Sequence, residues 1–219
     1  MAVKRDSFSV AFTVGAYGSA FGAAAVANHF SILQACLLSL LLFSGASQFA
    51  VIGVLGAGGS AVSAIATASL LGVRNGLYAL RLAPILKLRG WRKLVGAQIT
   101  IDESTGVALS QSDIEDMRKG FWYTGVGVFI FWNFFTVLGA VGAKAIGNPS
   151  AWGLDAAVPA AFLGLLWPRL ASKQTWAIAA AAIVLSLSLV PFVSAGIPII
   201  SCALLALIVG WQEKRAVNK

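Results

Sequence analysis

The chain has 219 residues, of which 58% are hydrophobic and only 11% are charged, and its mean hydropathy is +0.85. Because a soluble domain usually carries about 25% charged residues, this composition excludes a water-soluble globule. The net charge of +8 does not indicate nucleic-acid binding, because the basic residues lie in short loops and at the termini, where they orient membrane helices.

Long apolar segments follow one another along the chain. They cover residues 8–28, 31–57, 61–86, 94–101, 120–143, 152–168, 174–194 and 196–211. Several hold about 20 residues, enough to cross a hydrocarbon core of roughly 30 Å. The sequence therefore predicts an all-α, polytopic inner-membrane helical bundle with about seven membrane segments, in a single integral membrane domain over residues 1–219.

The first apolar segment follows Lys4 and Arg5. It is longer than the core of a typical signal peptide, which holds about 7–15 residues, so we expect an uncleaved helix. The preceding positive charges predict a cytoplasmic N-terminus. Gly15, Gly18 and Gly22 lie on this helix, and their spacing favours close helix packing over a ligand site.

A short polar stretch, FSGASQF at residues 43–49, interrupts the second apolar segment. Small polar residues at bilayer depth indicate irregular backbone, which survives only where protein or a cavity satisfies its polar groups. Ser44, Ser47 and Gln48 offer hydrogen bonds to a zwitterionic ligand, and Gly45 allows its close approach. The alternative for the small residues is tight helix packing.

The strongest basic loop, residues 87–93, predicts the topology of the first half of the chain. It holds Lys87, Arg89, Arg92 and Lys93 and is expected in the cytoplasm, as is the C-terminus. That placement requires broken or re-entrant helices at 31–57 and 94–118, which enter from opposite faces as in an inverted repeat. A single tilted crossing at 31–57 is the alternative.

Charged residues inside apolar segments are the sharpest functional candidates. Arg74 near a helix centre costs about 2.5–3.5 kcal/mol on insertion scales, so it faces protein or water. Its guanidinium suits a carboxylate, either that of a substrate or that of Asp102 or Glu103 in a structural pair. The two acids themselves suit a substrate ammonium or a coupling proton, or else a helix start.

Other candidate residues have weaker assignments. Tyr78 is either an interfacial anchor or a pocket wall, and Trp132 is interpreted as a lipid-facing or packing aromatic. Asp155 is expected to cap a helix. Cys36 and Cys202 lie in apolar runs and are interpreted as small core residues rather than as a disulfide or metal pair. We expect neither a metal nor another cofactor.

Four motifs occur in order along the chain: FSGASQF at 43–49, TASLLGVRNGLYALRLAP at 67–84, TIDES at 100–104 and GLDAAVPAAFLGLL at 153–166. Together they resemble the AzlC family, the large subunit of branched-chain amino acid exporters, from about Phe8 to Trp211. The resemblance implies export of leucine, isoleucine, valine and similar amino acids across the bacterial inner membrane. It also implies a small hydrophobic AzlD-type partner subunit.

The family often carries Asn-Leu-Arg-His before a Leu-Tyr pair. Here Arg74 matches, but Asn75 stands at the histidine position, so a titratable group is lost. The candidate substrate-binding residues are Ser44, Gly45, Ser47, Gln48, Arg74, Asn75 and Tyr78. Asp102 and Glu103 are the candidates for proton coupling or for the substrate ammonium.

The predicted function is that of a secondary transporter for apolar amino acids, not of an enzyme. The sequence has no Walker-type phosphate loop, which disfavours ATP use by this chain. One alternative is a channel or a transporter for another small solute. A further alternative is an intramembrane serine protease using Ser47 and His29, which is disfavoured because His29 is predicted at the membrane edge and Ser47 deeper.

Overall fold

The computed structural model describes residues 2–147, 151, 153 and 156–217, and every regular element in that part is helical. The helices are α1 Ala2–Ala16, α2 Gly18–Ala27, α3 Ile32–Leu41, α4 Gly45–Gly56, α5 Ala61–Leu86, α6 Trp91–Gln98, α7 Asp102–Leu109, α8 Ile114–Ile146, α9 Ala157–Leu166, α10 Lys173–Leu189 and α11 Ile197–Val217, with a 3-10 turn at Trp167–Arg169. The predicted all-α fold is therefore confirmed. Asp155, the expected helix cap, lies outside the described residues.

Two helical stretches of the described part are long and apolar enough to cross a bilayer, Val3–Ala27 with 25 residues and Ile114–Ile146 with 33. The first comprises α1 and α2, which are nearly continuous because Tyr17 between them keeps right-handed helical angles (φ −62°, ψ −18°). Four shorter apolar helices accompany them: Ile32–Leu41, Gly45–Gly56, Lys173–Leu189 and Ile197–Trp211.

The N-terminal helices pack closely along α8. A Cβ atom at Gly18 would meet the backbone carbonyl of Trp132, and one at Gly22 would meet that of Thr136. The two backbones therefore approach to a separation that only glycine permits. This confirms the interpretation of the first helix's glycines as packing residues, and it fixes α8 as the central support of the bundle.

Two segments are interrupted helices of matching form. Residues 42–44 separate α3 from α4, and residues 99–101 separate α6 from α7. The last residue of each interruption is extended: Ser44 has φ −156° and ψ 103°, and Ile101 has φ −130° and ψ 174°. A long helix follows each pair, α5 in the first case and α8 in the second. The order short helix, break, short helix, long helix thus occurs twice.

The segment from α3 to α4 is a broken helix rather than a hairpin. α4 packs along α5, whereas α3 packs on α8 and α2. The arms of a re-entrant hairpin would lie side by side, and α3 and α4 do not. This form differs from a segment that enters and returns on one side, on which the placement of residues 87–93 in the cytoplasm depends.

We predict that Gly139→Ala destabilises the bundle by about 1–3 kcal/mol, since a Cβ there would meet the backbone carbonyl of Ser19, which has no room to move. Thermal unfolding in detergent measures the change. The readout is the fraction of protein that remains monodisperse after heating. Gly142→Ala on the same helix is the control, because open space surrounds its Cβ position. Equal midpoints for the two variants would contradict the close contact.

Candidate functional site

A cavity of about 480 Å³ lies where the two interruptions meet. Its volume is within the range of about 300–1,000 Å³ common for small-molecule sites. Both interruptions contribute to the lining, through residues 43–46 and 101–103, and α5 adds Arg74 and Asn75. The remaining wall is mostly apolar and comes from the N-terminal helices, α4, α8 and α9: Val14, Tyr17, Ala20, Phe49, Val128, Trp132, Ala160, Ala161 and Gly164.

Gln48 fixes the position of the Trp132 wall. The indole N–H of Trp132 donates to Gln48 Oε1 at 3.0 Å, and Gln48 Nε2 donates to the Leu42 carbonyl at 2.7 Å. Gln48 is fully buried and does not line the cavity. Its amide is therefore engaged by the protein itself. Trp132 is 6% exposed, so it is a packing residue and does not face lipid.

A second glutamine, which belongs to the other interrupted segment, donates to a carbonyl group near the end of α3. Gln98 Nε2, at the end of α6, donates to the Leu40 carbonyl at 2.9 Å. The last turn of any helix leaves carbonyl groups without partners inside the helix, and in hydrocarbon each needs another donor. Gln48 and Gln98 supply donors to two of the carbonyls at this helix end, those of Leu42 and Leu40.

The first turns of α4 and α7 lie at the cavity wall. Ser44, the N-cap of α4, makes no capping bond with its side chain, and its buried Oγ has no partner in the described structure. A Cβ at Gly45 would lie 3.1 Å from Cη2 of Trp132, so glycine keeps this wall open. Asp102 and Glu103 occupy the first turn of α7, where the helix dipole favours negative charge.

Asp102 joins three elements of the structure through one carboxylate. Its Oδ2 lies 2.7 Å from Nη1 of Arg74 on α5 and 3.5 Å from Nη2 of Arg169 in the turn after α9. Tyr78 of α5 lies beside the same carboxylate. The structural alternative considered for Arg74, a pair with Asp102, is therefore present. Arg169 is not among the predicted site residues, since it lies outside the four motifs.

Four polar atoms of the lining residues have no hydrogen-bond partner in the described structure. They are Ser44 Oγ, Arg74 Nε, Asn75 Oδ1 and Asp102 Oδ1. Arg74 Nε and the Ser44 hydroxyl can donate, whereas the Asn75 and Asp102 oxygens can accept. Each atom is covered by its surroundings, so a ligand reaches it only after the side chain turns.

The structure thus brings most of the predicted site residues together. Ser44, Gly45, Arg74, Asn75, Asp102 and Glu103 line the cavity. Ser47 does not, because its hydroxyl donates to the Ala68 carbonyl at 2.9 Å and joins α4 to α5. Gln48 lies behind Trp132, and Tyr78 stands next to Asp102 without reaching the lining.

Interrupted helices around a cavity with apolar walls and an ion pair define a helical membrane protein of the transporter type. The chain belongs to the AzlC protein family, whose model matches residues 9–146. It is 29% identical over 185 residues to the inner membrane protein YgaZ of Escherichia coli (strain K12), covering 81% of this chain and 76% of that protein.

A second relative is an uncharacterized membrane protein of Archaeoglobus fulgidus. It is 32% identical over 207 residues, which cover 93% of this chain and 87% of that protein. No solved structure matches the chain. The resemblance drawn from the four sequence motifs is confirmed at the level of the family and of membrane location.

We predict that Gln48→Leu lowers the free energy of unfolding by about 1–3 kcal/mol, since it leaves the Trp132 indole N–H and the Leu42 carbonyl buried without partners. Thermal unfolding in detergent measures the loss. Gln111→Leu, which removes a more exposed amide, is the control and should change stability little. A Gln48→Leu variant as stable as the control would contradict the supporting role of Gln48.

Proposed function

We propose that this chain is the large permease subunit of a secondary transporter that exports branched-chain and other apolar neutral amino acids across the bacterial inner membrane. Leucine, isoleucine and valine are the primary substrates, with methionine as a further one. The observation that carries the proposal is the cavity, in which apolar walls adjoin unused hydrogen-bond donors and acceptors.

An amino acid zwitterion needs donors for its carboxylate and acceptors for its ammonium group. Arg74 Nε and the Ser44 hydroxyl at the start of α4 suit the carboxylate. Asp102 Oδ1 and Asn75 Oδ1 suit the ammonium, and Glu103 adds a second negative charge at the same wall. The lining therefore has partners for both charged ends of one small molecule.

The apolar part of the substrate would lie against the wall that Phe49, Val128 and Trp132 form. Such a wall offers contact area but no hydrogen bonds that distinguish one aliphatic side chain from another. One methylene group in a hydrophobic pocket is worth only about 1–3 kcal/mol. We therefore propose loose selectivity among leucine, isoleucine, valine and methionine.

The shared carboxylate of Asp102 gives substrate binding a means of changing the protein's shape. A bound ammonium competes with Arg74 and Arg169 for the same acid. Arg169 follows α9, which covers one side of the cavity through Ala160 and Ala161. Weakening of the contact between Arg169 and Asp102 loosens the link between α7 and the turn after α9, while α9 keeps its packing on α2 and α4.

Two further parts of the proposal follow from the family and from Ser47. A small hydrophobic AzlD-type subunit is proposed as the partner, and efflux measured with and without it tests that assembly.

Ser47, the nucleophile that an intramembrane protease would require, donates its hydroxyl hydrogen to a backbone carbonyl. This is the contact of a packing hydroxyl, and it disfavours the protease alternative.

Arg74→Ala should slow leucine efflux at least tenfold in cells loaded with a leucine dipeptide and expressing the chain with its small partner. The reason is that the substrate carboxylate loses a charged donor, a contact worth about 1.5–3 kcal/mol. Arg81→Ala is the control, because Arg81 is exposed two turns further along α5 and lies outside the cavity lining.

Efflux that is indifferent to Arg74, at equal protein abundance in the membrane, would return Arg74 to a purely structural role. If dipeptides of valine, isoleucine and methionine also give no efflux above the empty membrane, the proposed cargo is wrong.

A double variant, Asp102→Asn with Glu103→Gln, should abolish leucine efflux while the protein still inserts, because the ammonium and any coupling proton lose both acids. Glu115→Gln with Asp116→Asn is the matched control, since it also neutralises two adjacent acids in the first turn of a helix. Saturable leucine counterflow in proteoliposomes distinguishes this carrier from a pore. Normal net leucine efflux by the Asp102 and Glu103 variant would contradict the assigned role of the two acids.

A further inference from the structure

A second cavity, of about 550 Å³, lies where the end of α5 approaches the starts of α6 and α8. It shares no lining residue with the first cavity. Three cations surround it, Lys87, Arg92 and Arg118, and two indoles, Trp91 and Trp122, complete much of the wall. Lys87 and Arg92 belong to the basic segment 87–93, and Arg118 comes from α8.

These cations are brought together without a compensating acid. In the part of the chain that the structure describes, the ion pairs involve other residues, and none includes Lys87, Arg92 or Arg118. Arg118 is held in place, since its Nε–H donates to the Ile85 carbonyl at 2.8 Å. Like charges in one concavity repel one another, so an anion bound there would stabilise the arrangement.

The helix beside this cavity has the form of an interfacial helix. Trp91, Leu94 and Val95 lie at spacings of three and four residues and therefore on one face of α6. All three are exposed: Trp91 by 69%, Leu94 by 76% and Val95 by 37%. Arg92 and Lys93 are interspersed with them. An exposed apolar face with adjacent basic residues is typical of a helix that lies in the bilayer surface.

We infer that this cavity binds the headgroup phosphate of an anionic phospholipid. The guanidinium groups of Arg92 and Arg118 and the ammonium of Lys87 suit phosphate oxygens. Leu86 and Leu88 in the same wall offer apolar contact to the glycerol and the first acyl methylenes. A free phosphate ion would use the cations but leave this apolar part and the exposed face of α6 unexplained, which favours the lipid.

Such a lipid would add to the existing links between α5 and α8 at this end of the bundle, where Arg118 already donates to the Ile85 carbonyl. Lys87 ends α5 in the left-handed conformation (φ 49°), and Arg118 lies in the second turn of α8. A phosphate bridging them ties the helix that carries Arg74 to the central helix α8 at the membrane surface. The site is independent of the proposed function, because it uses none of the same residues.

The test compares two double variants with the same net charge. Lys87→Gln with Arg92→Gln removes two cations of the cavity, whereas Arg89→Gln with Lys93→Gln removes two neighbouring cations outside its lining. Each protein is purified in a neutral detergent and titrated with phosphatidylglycerol or phosphatidylcholine. Native mass spectrometry counts the lipids retained, and thermal unfolding reports the stabilisation.

The expected result is that wild type and the Arg89, Lys93 variant retain one phosphatidylglycerol in preference to phosphatidylcholine. The Lys87, Arg92 variant should bind phosphatidylglycerol about tenfold or more weakly, given the usual contribution of each cation near an anionic surface. Equal losses in both variants would overturn the site in favour of diffuse loop charge. Equal retention of the two lipids by wild type would also overturn it.

Inorganic phosphate alone forms the third arm of the titration. If it stabilises wild type as much as phosphatidylglycerol does, the ligand is a soluble phosphate and the lipid assignment is wrong. Unfolding midpoints in phosphatidylcholine show whether each variant folds. Should the double variants fail to fold, Arg92→Gln and Lys93→Gln as single changes give the same comparison.

Discussion

The last turn of a helix leaves carbonyl groups without donors inside that helix, and the structure around the cavity depends on how the end of α3 satisfies them. Gln48 supplies a donor from the following helix and Gln98 supplies one from a distant segment. The same Gln48 amide accepts from the Trp132 indole and so positions one wall of the cavity. One hydrogen-bond network therefore caps the end of α3 and positions a wall of the candidate site.

The bundle around this network combines very close packing with an open interior. Glycines let the first helices approach α8 backbone to backbone, while Gly45 keeps space in front of Trp132. Two ion pairs at the cavity share a single acid, Asp102, which contacts arginines from two other elements. Close helix packing thus surrounds a cavity whose ion pairs join α5, α7 and the turn after α9.

Much of this was accessible from the sequence because it depends on local composition. The break at FSGASQF, the packing role of the first glycines and the meeting of Arg74 with Asp102 all follow from polar or small residues in apolar runs. The direction of Gln48 and Trp132 was not accessible. Both point toward a partner 84 positions away in the chain, and neither hydropathy nor spacing encodes that contact.

The two interruptions each span three residues, and their length has a consequence of its own. Successive residues of an α-helix are rotated by about 100°, so removing one residue from 42–44 would turn all of α4 by that angle. Gly45 would leave Trp132, and Ser47 would leave the Ala68 carbonyl. The length of the interruption therefore sets the rotation of one helix relative to the next. Substitutions in it are tolerated better than insertions or deletions.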